Sequence, residues 1–202
     1  MPKGFTDHER AQIHAQLLAK GQELFGLHGI RKTNVEEITR AVGISKGAFY
    51  LFYESKEALF FAILQQFEAE YRARLIADLA RPGLSPHQRL VTVLGQSVTL
   101  ALAHPLFAHF GSDEFAYLLR KLPAEQPDTH MNSDVEFSRQ FIAAARAAGI
   151  TITATPELMT SLLRALVMLN FHKDMIGPAD YHHVAAVLID QVVTYLMKEP
   201  TP

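Results

Sequence analysis

The chain contains no cysteine, which excludes disulfides and thiolate-bound metals at the outset. No apolar stretch reaches the roughly 20 residues that a membrane-spanning helix needs. The longest candidates are broken by Arg164, Asn170, His172 and Lys173. Lys3 is followed by no apolar run, so a signal peptide is not expected, and the chain reads as soluble and cytoplasmic. Neither sign of charge is in excess, with 19 Lys and Arg against 21 Asp and Glu in 202 residues. The first 60 residues hold eight basic and seven acidic side chains, a bias too slight for charge alone to argue for a nucleic-acid partner. Alternating strand patterns are nearly absent, and so are internal repeats and low-complexity tracts. The ten His include no His-Glu-x-x-His spacing, so no metal and no cofactor is expected, although His172 stands out inside an otherwise apolar stretch.

What is present is helix, with 49% hydrophobic residues to bury a core. Thr6-Asp7-His8-Glu9 reads as a capping box, followed by an apolar stripe through Ile13, Leu17, Leu24 and Phe25 and a stop at Gly29. Thr33-Asn34-Val35-Glu36 reads as a second box, opening a short helix that Gly43 ends after Val42. Ser45 caps the next helix, to about Phe52, and Ser55 caps a long one running to about Ala80. Arg81-Pro82-Gly83 breaks the chain, and Ser85-Pro86-His87-Gln88 starts a new helix. The polar, Pro-containing stretch 123–130 reads as a loop. Helices are expected over about 133–148, 156–173 and from Gly177-Pro178 to Lys198. The fold class is all-α, with about nine helices.

Residues 33–56 carry the chemistry. Val35, Ile38 and Val42 share a face of one short helix, Ile44, Ala48 and Phe49 close on it, and Gly43 supplies the turn, because glycine adopts positive φ without steric cost. This is helix-turn-helix spacing. Ser45, Lys46 and Gly47 at the start of the second helix suit a phosphate, and Tyr50, one turn on, offers a ring to a thymine methyl. Gly43-Ile44-Ser45-Lys46-Gly47 also fits the nucleophile elbow of α/β-hydrolases, but that motif needs a preceding strand, and here the preceding residues have helical periodicity. An all-α hydrolase or metal enzyme using Ser45 or the His set is the rival, and a C-terminal protein-interaction module is a third reading.

The string Val-Gly-Ile-Ser-Lys-Gly-Ala-Phe-Tyr, followed by Glu-Ser-Lys-Glu-Ala-Leu, resembles the TetR-family signature over about residues 8–60. The resemblance implies an N-terminal three-helix helix-turn-helix domain (1–54) and a C-terminal helical bundle (55–202) for ligand binding and dimerisation. It implies a transcriptional regulator rather than an enzyme: a homodimeric repressor on a palindromic double-stranded DNA operator, released by a small effector. By position, Ser45, Lys46, Gly47 and Tyr50 match DNA contacts on the recognition helix, and Thr33 and Lys56 match phosphate contacts beside it. The chain departs from the family pattern at Thr39, where an Ala is usual, at Leu51-Phe52-Tyr53, and at Glu54, where a Lys is common.

Two further sites are expected after residue 60. Gln96 and Asn170 interrupt apolar stretches, and with Phe107, Phe110 and Phe141 they form the expected lining of an apolar effector pocket. Leu162, Leu166 and Leu169 on one late helix, and Val184, Leu188 and Val192 on the last, recur at helical spacing. Their stripes are wider than one face, which predicts a self-complementary four-helix dimer interface.

Overall fold

A computed structural model describes residues 5–109, 111–123, 125–177 and 179–198. The elements are α1 (Asp7–Lys32), α2 (Val35–Val42), α3 (Lys46–Phe49), α4 (Lys56–Asp78), α5 (Pro86–Ala103), a 3-10 turn (Pro105–Phe107), α6 (Ser112–Lys121), α7 (Glu125–Ala147), α8 (Pro156–Phe171), α9 (Lys173–Ile176) and α10 (Tyr181–Met197). Among the described residues there is no strand, in keeping with the all-α reading.

Most helix starts follow from local hydrogen-bond chemistry. The Thr6–Glu9 box closes on both sides, as Glu9 N donates to Thr6 Oγ1 and Thr6 N donates to Glu9 Oε2 at 2.7 Å. Ser85 and Gln88 exchange the same pair of bonds, and Ser55 and Thr155 each accept from the backbone three residues on. The second box differs from expectation by one residue. Asn34, not Thr33, is the N-cap, accepting from Glu37 N at 2.9 Å while Glu37 accepts from Asn34 N. Thr33 is diverted inward, where its hydroxyl donates to Gly29 O at 2.9 Å. Gly29 itself sits at φ 75° and kinks α1 rather than ending it.

The stretch expected to be a loop at 123–130 is helical from Glu125 onward. Pro127 falls in the first turn, where N–H groups have no intrahelical acceptor and a missing one costs nothing.

The chain packs as two compact units. The first takes the described residues of Met1–Glu68 and Ala103–Leu122, the second those of Ala69–Leu102 and Pro123–Pro202, so the division falls inside α4. The first unit is therefore larger than the expected DNA-binding segment 1–54, since it includes the start of α4, the 3-10 turn and α6. Its core is Leu17, Phe25, Ile38, Phe49, Leu59 and Phe60, with Phe25 and Phe60 meeting edge-on at 5.2 Å. In the second unit α8 packs against α7 and α10, around Leu90, Leu94, Phe141, Met159, Ile189 and Val193. No helix among the described residues is long and apolar enough to cross a membrane.

Candidate nucleic-acid interface

The turn between α2 and α3 is held by backbone geometry. Gly43 adopts φ 81°, ψ 29°, and the N–H groups of Gly43 and Ile44 both donate to Thr39 O, at 2.9 and 3.0 Å. A side chain at Gly43 would meet left-handed strain. Thr39 is buried where the family pattern has Ala, and its extra hydroxyl is satisfied locally by Glu36 O at 3.1 Å. Ile38 from α2 and Phe49 from α3 are both fully buried, so the two helices are clamped by apolar contact from either side of the turn.

Phe49 anchors the segment that follows. Tyr50 lies edge-on to it at 5.4 Å, and Tyr53 packs on it at 6.2 Å. Tyr53 also stacks on His14 of α1 and shares a 2.9 Å hydrogen bond with its Nε2. Burial there pushes the Tyr53 phenol above its ordinary pKa. Phe52, which lacks the hydroxyl usual at its position, packs against Phe5 and under the Arg10 guanidinium instead.

With those anchors inside, residues 45–54 expose Ser45, Lys46, Gly47, Tyr50, Leu51 and Glu54 to solvent. Ser45 caps α3, accepting from Ala48 N at 3.1 Å. Lys46 pairs with Glu36 of α2, and that hydrogen bond holds the Glu36 carboxyl below, and the Lys46 ammonium above, their usual ranges. Four of the six expected DNA contacts are thus exposed in one short segment.

The other two do not. Thr33 is completely buried with its hydroxyl already donating to a carbonyl, so it offers nothing to a phosphate. Lys56 is half-buried, and its Nζ donates to Ile30 O, Arg31 O and Thr33 O at 2.7, 3.1 and 2.7 Å. It ties the end of α1 to the start of α4, where the carbonyls of a helix C-terminus favour a cation. Burial lowers its pKa.

Within the same unit α6 is latched to α1 and α4. The Tyr117 hydroxyl donates to Glu57 Oε1 at 2.6 Å, and Glu57 is buried at the start of α4. Arg31 lies over the Tyr117 ring and donates to Asp113 O at 3.0 Å. Burial first, then the Glu57 bond, push the Tyr117 phenol up to about 12. Neither the Glu36–Lys46 pair nor this latch was expected from the sequence, because both join residues with no helical spacing between them.

The expected effector residues are divided between the two units. Phe107 is in the first unit, edge-on to Phe67 at 5.4 Å, whereas Gln96, Phe141 and Asn170 are in the second. Phe141 is 1% exposed within the core. The Gln96 amide, oriented to suit its neighbours, donates to Asp78 Oδ2 at 2.9 Å and accepts from Arg81 Nη1 at 3.1 Å. Phe110 lies outside the described residues. Gln96 also lines a groove of about 380 Å³ between α5 and α10, with Val91, Thr99, Tyr181, Ala185 and Ile189. Three buried polar atoms in this unit, Arg89 Nε, Asn170 Oδ1 and Tyr181 OH, have no hydrogen-bond partner among the described residues.

Of the expected dimer residues, Leu166 is packed in the monomer's own core, and Leu162 and Val192 lie partly against it. Leu188 is 39% exposed and Leu169 and Val184 are half-buried. His172 is exposed at the end of α8, and no cluster of His, Asp and Glu among the described residues could hold a metal. Helix α2 and its turn, not a strand, precede Ser45.

Residues 17–63 match the family described as "Bacterial regulatory proteins, tetR family". The chain is 29% identical over 158 residues to the HTH-type transcriptional repressor Rv1474c of Mycobacterium tuberculosis, a span covering 78% of this chain and 70% of that one. Further curated relatives align over less than half their length. Among solved structures, a TetR-family regulator of Pectobacterium atrosepticum superposes with a TM-score of 0.72 at 20% identity, covering 98% of this chain and 100% of that one. SmeT, a repressor from Stenotrophomonas maltophilia solved in complex with triclosan, superposes at 0.58 with 18% identity, covering 94% and 99%.

Proposed function

We propose that this chain is a DNA-binding transcriptional regulator of the TetR family, a homodimeric repressor released from a palindromic operator by a small apolar effector. The observation that carries the reading is the exposure of Lys46, Gly47, Tyr50 and Leu51 in and just after a short helix that the Gly43 turn and the buried Phe49 position. A preorganised recognition element loses little freedom on binding. In this reading Lys46 and Tyr50 contact the groove, and Ser45 and Gly47 contact the backbone. The protein then acts where the DNA is, in the cytoplasm.

Dimerisation through α8 and α10 is supported by Leu158, Val187, Leu188 and Tyr195, large apolar side chains left 38%, 47%, 39% and 55% exposed. Val184, Val187, Leu188, Gln191 and Tyr195 recur every three or four residues along α10. They face away from Tyr181, Ala185, Ile189 and Val193, which fill the monomer core. A second copy covers such a face by two-fold symmetry.

The effector reading is placed in the second unit, with the α5–α10 groove as its site. The support is a mostly apolar lining that includes Tyr181, whose buried hydroxyl has no partner among the described residues. SmeT, named with a bound aromatic molecule, is a precedent for that ligand class in this fold. The experiment is an operator titration read for stoichiometry and for release. Two chains per palindrome are expected, and an apolar phenolic or aromatic compound that raises the melting midpoint should also weaken the complex. Compounds that stabilise the protein and leave the operator bound would remove effector release from the account.

A further inference from the structure

The recognition segment 45–54 contains no Arg, Asn or Gln. With Lys, these are the residues that form bidentate hydrogen bonds to guanine or adenine, and the segment's one Lys, Lys46, is paired with Glu36. The hydrogen-bonding groups it does expose are few: the Ser45 hydroxyl, which already caps α3, the Lys46 ammonium, which is paired with Glu36, the Tyr50 phenol and the Glu54 carboxyl. Beside them stands Leu51, 60% exposed, next to Tyr50, 50% exposed. A single exposed leucine is ordinary. This one directly follows Tyr50 at the end of α3, and its backbone is tied down, as Leu51 N donates to Ala48 O at 3.1 Å and Phe52 N to Phe49 O at 2.9 Å. The segment therefore offers DNA a rigid apolar step where other readers offer hydrogen-bond forks.

The one base feature in the major groove that rewards apolar contact is the thymine 5-methyl group. We infer that Leu51, together with Tyr50, reads thymine methyls, so that the operator half-site carries thymine at that step and is discriminated there by methyl burial. This rests on the DNA-binding reading and adds a specificity-determining residue to it.

The test begins with duplexes enriched from a random library by the wild-type protein at fixed salt. Each thymine of the enriched half-site is then replaced by deoxyuridine, which removes only the methyl. At one or two positions the wild type should lose about four-fold in affinity, the worth of one buried methyl group. Leu51→Ala, with an unchanged melting midpoint, should bind the thymine duplex as weakly as the wild type binds the deoxyuridine one, and should be indifferent to the replacement. If the wild type tolerates deoxyuridine everywhere, or if Leu51→Ala keeps the full methyl dependence, the inference is overturned while DNA binding stands. A library that yields no preferred sequence overturns the DNA-binding reading itself.

Discussion

In the proposed reading Lys46 would meet DNA with its ammonium already engaged by Glu36, a carboxylate that competes with any phosphate or base for it. Removing the competitor should help. Glu36→Gln is expected to tighten operator binding about two- to five-fold at low salt, the scale of an exposed ion pair. The gain should fade as salt rises. Acidification acts in the same sense only late. The Glu36 carboxyl is held below its ordinary range, so the pair persists above that range and is lost as pH falls through the lowered value. An anisotropy titration of wild type and variant over a salt series checks this, and weaker binding by Glu36→Gln would show that the carboxylate assists rather than restrains Lys46. Lys56 has a different fate. Lys56→Met leaves three carbonyls at the end of α1 without their donor and should cost about 1–3 kcal/mol of stability. The salt slope of DNA binding should stay as it is, whereas a slope reduced by about one would make Lys56 a phosphate contact after all.

Among the elements, α6 depends on one phenol. Tyr117→Phe deletes the 2.6 Å bond to buried Glu57, and a loss of roughly 1–3 kcal/mol in urea melts at neutral pH is expected. The phenol's pKa is raised to about 12 in the folded state, above its ordinary value near 10. Its contribution is thus complete below pH 10 and is lost as pH rises through 12. Wild type and Tyr117→Phe should therefore converge in stability at strongly alkaline pH, and a gap that stays constant would place the stabilisation elsewhere. What the sequence disclosed at this scale was local. The caps at Thr6, Ser45, Ser55, Ser85 and Thr155 and the turn at Gly43 depend on neighbours three or four residues away, and all could be read directly. The features that escaped depend on distant partners. Thr33 reads as a cap until Gly29 bends the chain and takes its hydroxyl. Lys56 reads as a free cation until α1 brings three carbonyls to it. The packing of α6 against α1 joins Arg31 to Asp113, 82 residues apart. The helical start of α7 was hidden by a proline that is harmless in a first turn.

For the molecule as a regulator, two levels of assembly matter: two chains with each other, and the pair with DNA. In the proposed dimer the exposed apolar face of α10 serves the first. Leu188→Asp should shift the protein to monomer at micromolar concentration in analytical ultracentrifugation, with little effect on the melting of the chain, since Leu188 is already 39% exposed. A wild type that is itself monomeric, with and without operator, would refute the dimer. The second level is where the account is most directly at stake. The measurement is a salt-controlled anisotropy titration of an enriched operator with wild type, Lys46→Ala and Tyr50→Ala, each first shown to melt as the wild type does. Because both side chains stand on the exposed face of the recognition helix, each substitution should cost about 1–3 kcal/mol of specific binding while non-specific affinity changes far less. Wild-type operator affinity in both variants would contradict the assignment of that face to DNA.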